Sequence, residues 1–112
     1  MKAKFQIYKS TKRDNYFFRL IDINAEILLM SEGYTTISAC KNGVEAVRKN
    51  SKNRLKFDCK TATNGKYYFN LKAANGQIIG TSETYHSEIA RDKRIDLVQR
   101  FAESADLEDL SN

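Results

Sequence analysis

Apolar and polar side chains alternate along this chain with a period of two, give way to a helical spacing, and then do both again. Tyr67, Phe69 and Leu71 alternate with Tyr68, Asn70 and Lys72. Such alternation, rich in aromatics, marks a strand with one buried face. Tyr16, Phe18 and Leu20 carry the same pattern earlier in the chain. Asn64-Gly65 precedes the later strand and Asn75-Gly76 follows it. Asn-Gly favours the two-residue type I′ hairpin, in which both turn residues take φ > 0. Each half is therefore expected to open as a three-stranded meander. The strands fall near 4–9, 15–22 and 26–30, then near 55–60, 66–73 and 77–81.

A helix is expected after each meander. Thr36 and Ser87 suit the N-cap, where a hydroxyl accepts a free backbone N–H. Cys40, Val44 and Val47 form an apolar stripe at i, i+4, i+7, and Ile95, Val98 and Phe101 or Ala102 continue that face in the second helix. Gly43 is unfavourable inside a helix by roughly 1 kcal/mol. It points to a close approach by a neighbouring element, and its counterpart is Arg94.

Sliding the chain against itself by 51 residues aligns the halves. Lys9 meets Lys60, Tyr16 Tyr67, Phe18 Phe69, Leu20 Leu71, Asn24 Asn75 and Ile27 Ile78. Ser31-Glu32 meets Ser82-Glu83, Tyr34 meets Tyr85, and Val47 meets Val98. Such order implies a tandem duplication. The first copy departs at its turns, where Asp14-Asn15 stands in for Asn64-Gly65 and Asn24-Ala25 for Asn75-Gly76. Ala in a left-handed conformation costs on the order of 1 kcal/mol, so the first meander is expected to have a weaker or different second turn. One such unit buries little alone. Two related by a pseudo-twofold would share a sheet, place Phe18 and Phe69 in one core, and pack both helices on one face. The expected class is α+β, a single domain over 1–112 with repeats at about 3–51 and 54–102 and an acidic tail at 103–112.

Length fits one domain. No apolar run approaches the ~20 residues of a membrane span, and the N-terminus lacks the apolar core of a signal peptide. A cytoplasmic protein with no membrane role is the expectation. Cys40 and Cys59 do not occupy equivalent positions, so two reduced, largely buried thiols are expected. The charge is uneven: residues 1–102 sum to +9, whereas 103–112 hold Glu103, Asp106, Glu108 and Asp109 and no base. A basic body attracts anionic partners, nucleic acid or acidic protein among them. Leu107 and Leu110, spaced i, i+3, would let the tail extend the last helix or dock lightly.

Two groups of candidate residues emerge. Ser31, Glu32 and Tyr34 recur as Ser82, Glu83 and Tyr85. They either form paired polar sites, with Glu as acceptor or general base, or fix the strand-to-helix corner, with Glu near the helix dipole and Tyr over the core edge. The structural reading is preferred. The second group lies on the outer face of the central strands: Phe17 and Arg19 with Ile21, and Tyr68 and Lys72 with Asn70. Aromatics interleaved with bases on an open sheet can stack bases and hold phosphates. His86 is the only histidine, so no triad or zinc site follows from spacing, and an exposed surface position is expected. No cofactor is implied.

The stretch Thr63-Asn64-Gly65-Lys66-Tyr67-Tyr68-Phe69-Asn70-Leu71-Lys72-Ala73-Ala74-Asn75-Gly76-Gln77-Ile78-Ile79-Gly80-Thr81-Ser82-Glu83-Thr84-Tyr85 resembles the signature of the YegP-like family. The first copy matches more loosely, through Tyr16-Phe17-Phe18-Arg19-Leu20, Asn24, Ile27 and Ser31-Glu32-Gly33-Tyr34. The resemblance reaches to about residue 102. It implies a small bacterial protein built from repeats of a domain of unknown function, with β-β-β-α units sharing a sheet. It brings no activity, cofactor or catalytic residue. The expected function is that of a non-enzymatic binding module. Sequence-tolerant nucleic-acid binding is the alternative, and an enzyme using the paired Ser-Glu-x-Tyr motifs comes third.

Overall fold

The computed structural model describes residues 3–111. Each half begins as an antiparallel meander, β1 (Lys4–Lys9), β2 (Tyr16–Ile21) and β3 (Ile27–Met30), then β4 (Phe57–Thr61), β5 (Tyr67–Lys72) and β6 (Ile78–Thr81). Helix α1 (Ile37–Asn50) follows the first and α2 (Glu88–Phe101) the second. The caps are those expected: Thr36 Oγ1 accepts from Ala39 N at 3.0 Å and Ser87 Oγ from Ala90 N at 3.1 Å. With a last strand, β7 (Asp106–Asp109), the strands form one sheet in the order β4-β5-β6-β3-β2-β1-β7.

The halves join where β3 meets β6, through the antiparallel pair Met30 and Thr81, which are equivalent positions of the repeat. A twofold requires equivalent residues to face each other at its axis, and they do. The helix ends obey the same relation. Arg48 Nη1 donates to Ala102 O at 3.2 Å, and its equivalent Gln99 donates through Nε2 to Ser51 O at 3.1 Å. Both helices cover one sheet face. Phe5, Ile7, Phe18, Leu20, Leu29, Phe69 and Leu71 meet Cys40, Val44, Val47, Ile95 and Val98 in a single buried cluster.

Three features differ from the sequence expectation. First, the Asn-Gly hairpins are not type I′. Only Gly65 and Gly76 take the left-handed conformation, both at φ 83°. The loops hold three residues, closed by Ala62 N to Lys66 O at 2.7 Å and Ala73 N to Gln77 O at 2.8 Å, the geometry of a turn followed by one left-handed residue. Asn64 and Asn75 serve instead through their side chains, each accepting from the backbone N–H two residues on, at 3.0 Å. The first copy uses the same second turn with Ala25 in the glycine position at φ 61°. In its first turn the left-handed residue is Asp14, at φ 54°.

Second, the repeat register slips by one residue in the first strands. Phe5 pairs with Leu20 and Ile7 with Phe18, whereas Phe57 pairs with Leu71 and Cys59 with Phe69. The offset there is 52, because the first hairpin of the first copy, closed by Ser10 N to Asn15 O at 2.8 Å, is one residue longer. A slip of one would turn every side chain of the strand over, so the extra loop residue keeps Phe5 and Phe57 on the core face. The identity of Lys9 with Lys60 is therefore not a structural equivalence. Cys59 takes the place of Ile7 on an uncovered edge and is exposed, while only Cys40 is buried.

Third, the acidic tail does not extend α2; it docks, as a strand of the sheet. Residues Asp106–Asp109 form β7, which pairs in parallel with β1. Leu110 N continues the ladder to Ile7 O at 2.7 Å. Period two, not i, i+3, governs the segment, and Ala105 is buried as the chain turns in.

Candidate functional site

The Ser-Glu-x-Tyr motifs sit where β3 and β6 leave the sheet, and their hydroxyls are engaged. Ser31 Oγ accepts from Phe18 N at 2.9 Å and donates to Glu32 O at 2.8 Å. Ser82 Oγ does the same with Phe69 N at 3.0 Å and Glu83 O at 2.8 Å. Each serine thus replaces a ladder acceptor with its side chain as the backbone swings away. Pairing resumes at the tyrosines: Tyr34 N donates to Tyr16 O and Tyr85 N to Tyr67 O, both at 2.7 Å. Glu32 and Glu83 point into solvent.

The two tyrosines differ in what lies over them. Tyr34 stacks on Phe18 at 6.2 Å and lies against Gly43, where a Cβ would stand 2.8 Å from Tyr34 Cζ. In the second copy Arg94 replaces Gly43. Its guanidinium lies 5.7 Å from the Tyr85 ring centre and reaches Glu26 at 2.6 Å and Asp22 at 3.8 Å in the other repeat. The Tyr85 hydroxyl is buried without a hydrogen-bond partner, and burial raises its pKa.

The sheet face opposite the helices carries the second candidate group. One row crosses all seven strands: Glu108, Gln6, Arg19, Met30, Thr81, Asn70 and Asp58. Glu108 accepts from Gln6 Nε2 at 2.8 Å, Gln6 Oε1 accepts from Arg19 Nε at 2.9 Å, and Thr81 Oγ1 donates to Asn70 at 2.8 Å. The predicted residues divide into two groups on this face. Phe17 and Arg19 lie on β2; Tyr68 and Lys72 lie on β5, about 14 Å away across three strand spacings. At the β5 end Asp58 holds Lys72 at 3.1 Å and Lys60 at 3.3 Å. Those lysines, the Lys72 hydrogen bond first, lower the Asp58 pKa.

At the β2 end Tyr8 stacks on Phe17 with ring centres 5.7 Å apart and planes 16° from parallel. The Arg19 guanidinium lies 5.1 Å from the Tyr8 ring centre. Beside this stack the β1–β2 loop walls a shallow depression of about 480 Å³, lined by Tyr8, Lys9, Thr11, Lys12, Arg13 and Phe17 among others. Sequence reasoning had Phe17 and Arg19 but not Tyr8, Lys12 or Arg13. The signal was present: with Phe5 and Ile7 inward, alternation puts Gln6 and Tyr8 outward. His86 is exposed. Among the described residues no group of three or more His, Cys, Asp or Glu side chains is placed to hold a metal ion.

The sequence profile of the family described as "Domain of unknown function (DUF1508)" matches residues 12–58 and again 62–109. The chain belongs to this family. The second match runs through β7, so the family likeness extends past residue 102 and takes in the acidic strand. The UPF0339 protein of the ptx operon 5′ region of Stutzerimonas stutzeri is 41% identical over 100% of both chains. The UPF0339 protein YegP of Escherichia coli K12 is 42% identical over 97% of this chain and 98% of its own. Two solved structures share the fold. The solution structure of UPF0339 protein SO3888 from Shewanella oneidensis superposes with a TM-score of 0.91 at 41% identity, covering 99% of this chain and 93% of that one. That of yegP from E. coli gives 0.93 at 38% identity, covering 100% and 96%. The DUF1508 relatives are proteins of unknown function, and the likeness supplies no enzymatic or binding role. No helix among the described residues is long and apolar enough to cross a membrane.

Proposed function

We propose that this protein is a binding module, not an enzyme, and that its ligand is single-stranded nucleic acid held at the β1–β2 end of the open sheet face. In this reading it works in the cytoplasm as one domain, with repeats at about 3–51 and 54–102. The observation that carries the reading is the stacked pair Tyr8 and Phe17, with Arg19 over Tyr8 and the Lys9, Lys12 and Arg13 loop alongside. Both rings are half-buried; aromatic rings on an open face accept any base, and neighbouring cations track the phosphates without reading sequence. The engagement of both serine hydroxyls in backbone bonds supports a structural role for Ser31, Glu32, Tyr34, Ser82, Glu83 and Tyr85. Tyr68 and Lys72 serve in this scheme as a second, weaker contact along the same face.

The test is fluorescence anisotropy with short single-stranded oligonucleotides across a salt series. Affinity is expected to fall steeply with salt. Tyr8→Ala and Phe17→Ala are each expected to remove stacking worth about 1–3 kcal/mol, and Lys12→Ala with Arg13→Ala to flatten the salt slope. Absence of binding at low salt, or binding indifferent to Tyr8→Ala, would sink the proposal.

A further inference from the structure

The pseudo-twofold makes the outer edges of β1 and β4 equivalent, yet among the described residues only that of β1 is covered. On β1 the covering is β7, paired through Lys4–Asp106, Phe5–Leu107, Gln6–Glu108 and Ile7–Asp109. Leu110 N reaches Ile7 O at 2.7 Å, so the Ile7 peptide groups face outward from the meander. Residues of an antiparallel strand send N–H and C=O to the same side, and by the 52-residue equivalence Phe57, Cys59 and Thr61 of β4 present theirs outward too; the Phe57 N–H is taken by Arg54 O of the preceding 3₁₀ turn, Arg54–Lys56, and the other outward groups stay open. No strand among the described residues lies beyond β4.

Side chains along β4 match an uncovered site. Leu55, in the 3₁₀ turn just ahead of β4 and the counterpart of Ala3, is 90% exposed. Cys59 is exposed where its counterpart Ile7 is fully buried. An edge with free ladder groups and exposed apolar side chains is a template for strand addition. Charge selects the kind of strand. Residues 54–61 hold Arg54, Lys56 and Lys60 against Asp58 alone, whereas 103–111 hold four carboxylates and no base. In the occupied site Lys4 lies 3.8 Å from Glu108; its sequence counterpart, Lys56, ends the 3₁₀ turn immediately ahead of the open edge. Cys40 of α1 is replaced at the equivalent position of α2 by Arg91, whose guanidinium lies 3.1 Å from Asp92.

We infer that the free edge of β4 is a docking site for an extended acidic segment of another protein, bound parallel to β4 as β7 is bound to β1, with leucines set among carboxylates as in Ala105–Leu110. The internal β7 is the template for that ligand. The inference is independent of the nucleic-acid reading, which uses the opposite end of the sheet.

The probe is a capped synthetic peptide of residues 103–111, titrated into the intact, isotope-labelled protein and followed by amide shifts. The expected result is saturable shifts confined to 55–61 and neighbouring β5, with slowed exchange of the Cys59 amide. Cys59→Pro removes one outward donor and leaves the β5 ladder untouched, as edge strands tolerate; it is expected to weaken binding at least tenfold. Lys56→Glu, at a position outside the buried core, is the second arm and is expected to weaken binding several-fold at low salt. Three results would each overturn the inference: no shifts at millimolar peptide, shifts confined to β1 and β7, or concentration-dependent self-association through the same edge with no response to peptide.

Discussion

Leu29 and Gly80 hold the same place in the two repeats, and Leu29 occupies the space that a side chain on residue 80 would need. A Cβ on Gly80 would stand 2.6 Å from both Leu29 Cγ and Cδ2. The two positions lie beside the β3–β6 junction, where a twofold brings equivalent side chains together. One large and one absent side chain fill the junction where two leucines would collide. Gly80→Ala is therefore expected to destabilise by about 1–3 kcal/mol, the usual cost of overpacking. Combining it with Leu29→Val should recover part of that loss. Urea unfolding of the single and double variants checks the coupling; additive losses would mean the two residues do not compete for the same space.

The turn at Ala25 offers the opposite experiment. Ala25 holds φ 61°, whereas its equivalent Gly76 holds φ 83° in an otherwise matching loop. Asp22 supplies the closing bonds, accepting from Asn24 N at 2.9 Å and Glu26 N at 3.0 Å, so the turn persists despite the strain. Ala25→Gly is expected to stabilise by about 1 kcal/mol, and Gly76→Ala to destabilise by a similar amount. Thermal melts of the pair give the answer, and a destabilising Ala25→Gly would contradict the strained turn.

Thiol chemistry separates the two cysteines. Cys40 is buried in the helix–sheet core, and burial pushes its thiol pKa up to about 11. Cys59 stands exposed on β4. A thiol reagent should therefore label one cysteine per folded chain promptly, at Cys59 by peptide mapping. The second should react only as the chain unfolds. Prompt labelling of Cys40 would place it outside the core.

Much of this was legible in the residues, for identifiable reasons. Tyr67, Phe69 and Leu71 alternate strictly, and Cys40, Val44 and Val47 keep a helical stripe, so strand and helix declared themselves through period. Repetition then fixed the topology, because Phe18 and Phe69 needed a common core. The hidden parts are those where non-local pairing overrides local pattern. Asp106–Asp109 carries no apolar alternation strong enough to announce a strand; β1 supplies the reason for its conformation. Cys59 looked like a core residue because nothing local says that its strand ends the sheet. Of the candidate site, Phe17 and Arg19 were readable by alternation. The outward placement of Tyr8 was readable the same way; its pairing with Phe17 was not, because it depends on the register of β1 that the longer first hairpin sets.

Asp58 provides a pH signature. Hydrogen bonding from Lys72 leads the effects that hold its carboxyl below the usual range, with Lys60 adding to them. A lowered folded pKa means that the unfolded chain takes up the proton first as pH falls. The contribution is thus fully present above the unfolded value, about 3.9, and disappears as pH drops through the lowered folded value. Lys72→Met should raise the Asp58 pKa in an NMR titration and reduce stability at neutral pH by less than about 1 kcal/mol, as befits a half-exposed pair. An unchanged Asp58 titration would show that Lys72 is not its partner in solution.

The acidic strand bears on both stability and ligand affinity, and the two effects must be separated. Deleting residues 103–112 removes β7, uncovering Ala3 and the outer edge of Phe5 and Ile7, all now buried. The loss should be on the order of 2 kcal/mol from apolar exposure alone, so a truncated chain reports on folding as much as on charge. Glu108→Gln is the cleaner variant. It keeps an acceptor for Gln6, now bonded at 2.8 Å, and removes one negative charge from the face that carries Arg19 and Lys4. One charge about 8 Å from a phosphate contributes about 0.5 kcal/mol in water, or roughly twofold in affinity. The Debye length is also about 8 Å at physiological salt, and shrinks as salt is added. Glu108→Gln should therefore tighten oligonucleotide binding about twofold at low salt, and the gain should vanish toward 1 M, while its unfolding midpoint moves little. Paired salt titrations and urea melts of wild type and variant decide it: a gain that persists at high salt would be contact chemistry instead of screening, and no gain at low salt would place the ligand away from this end of the sheet.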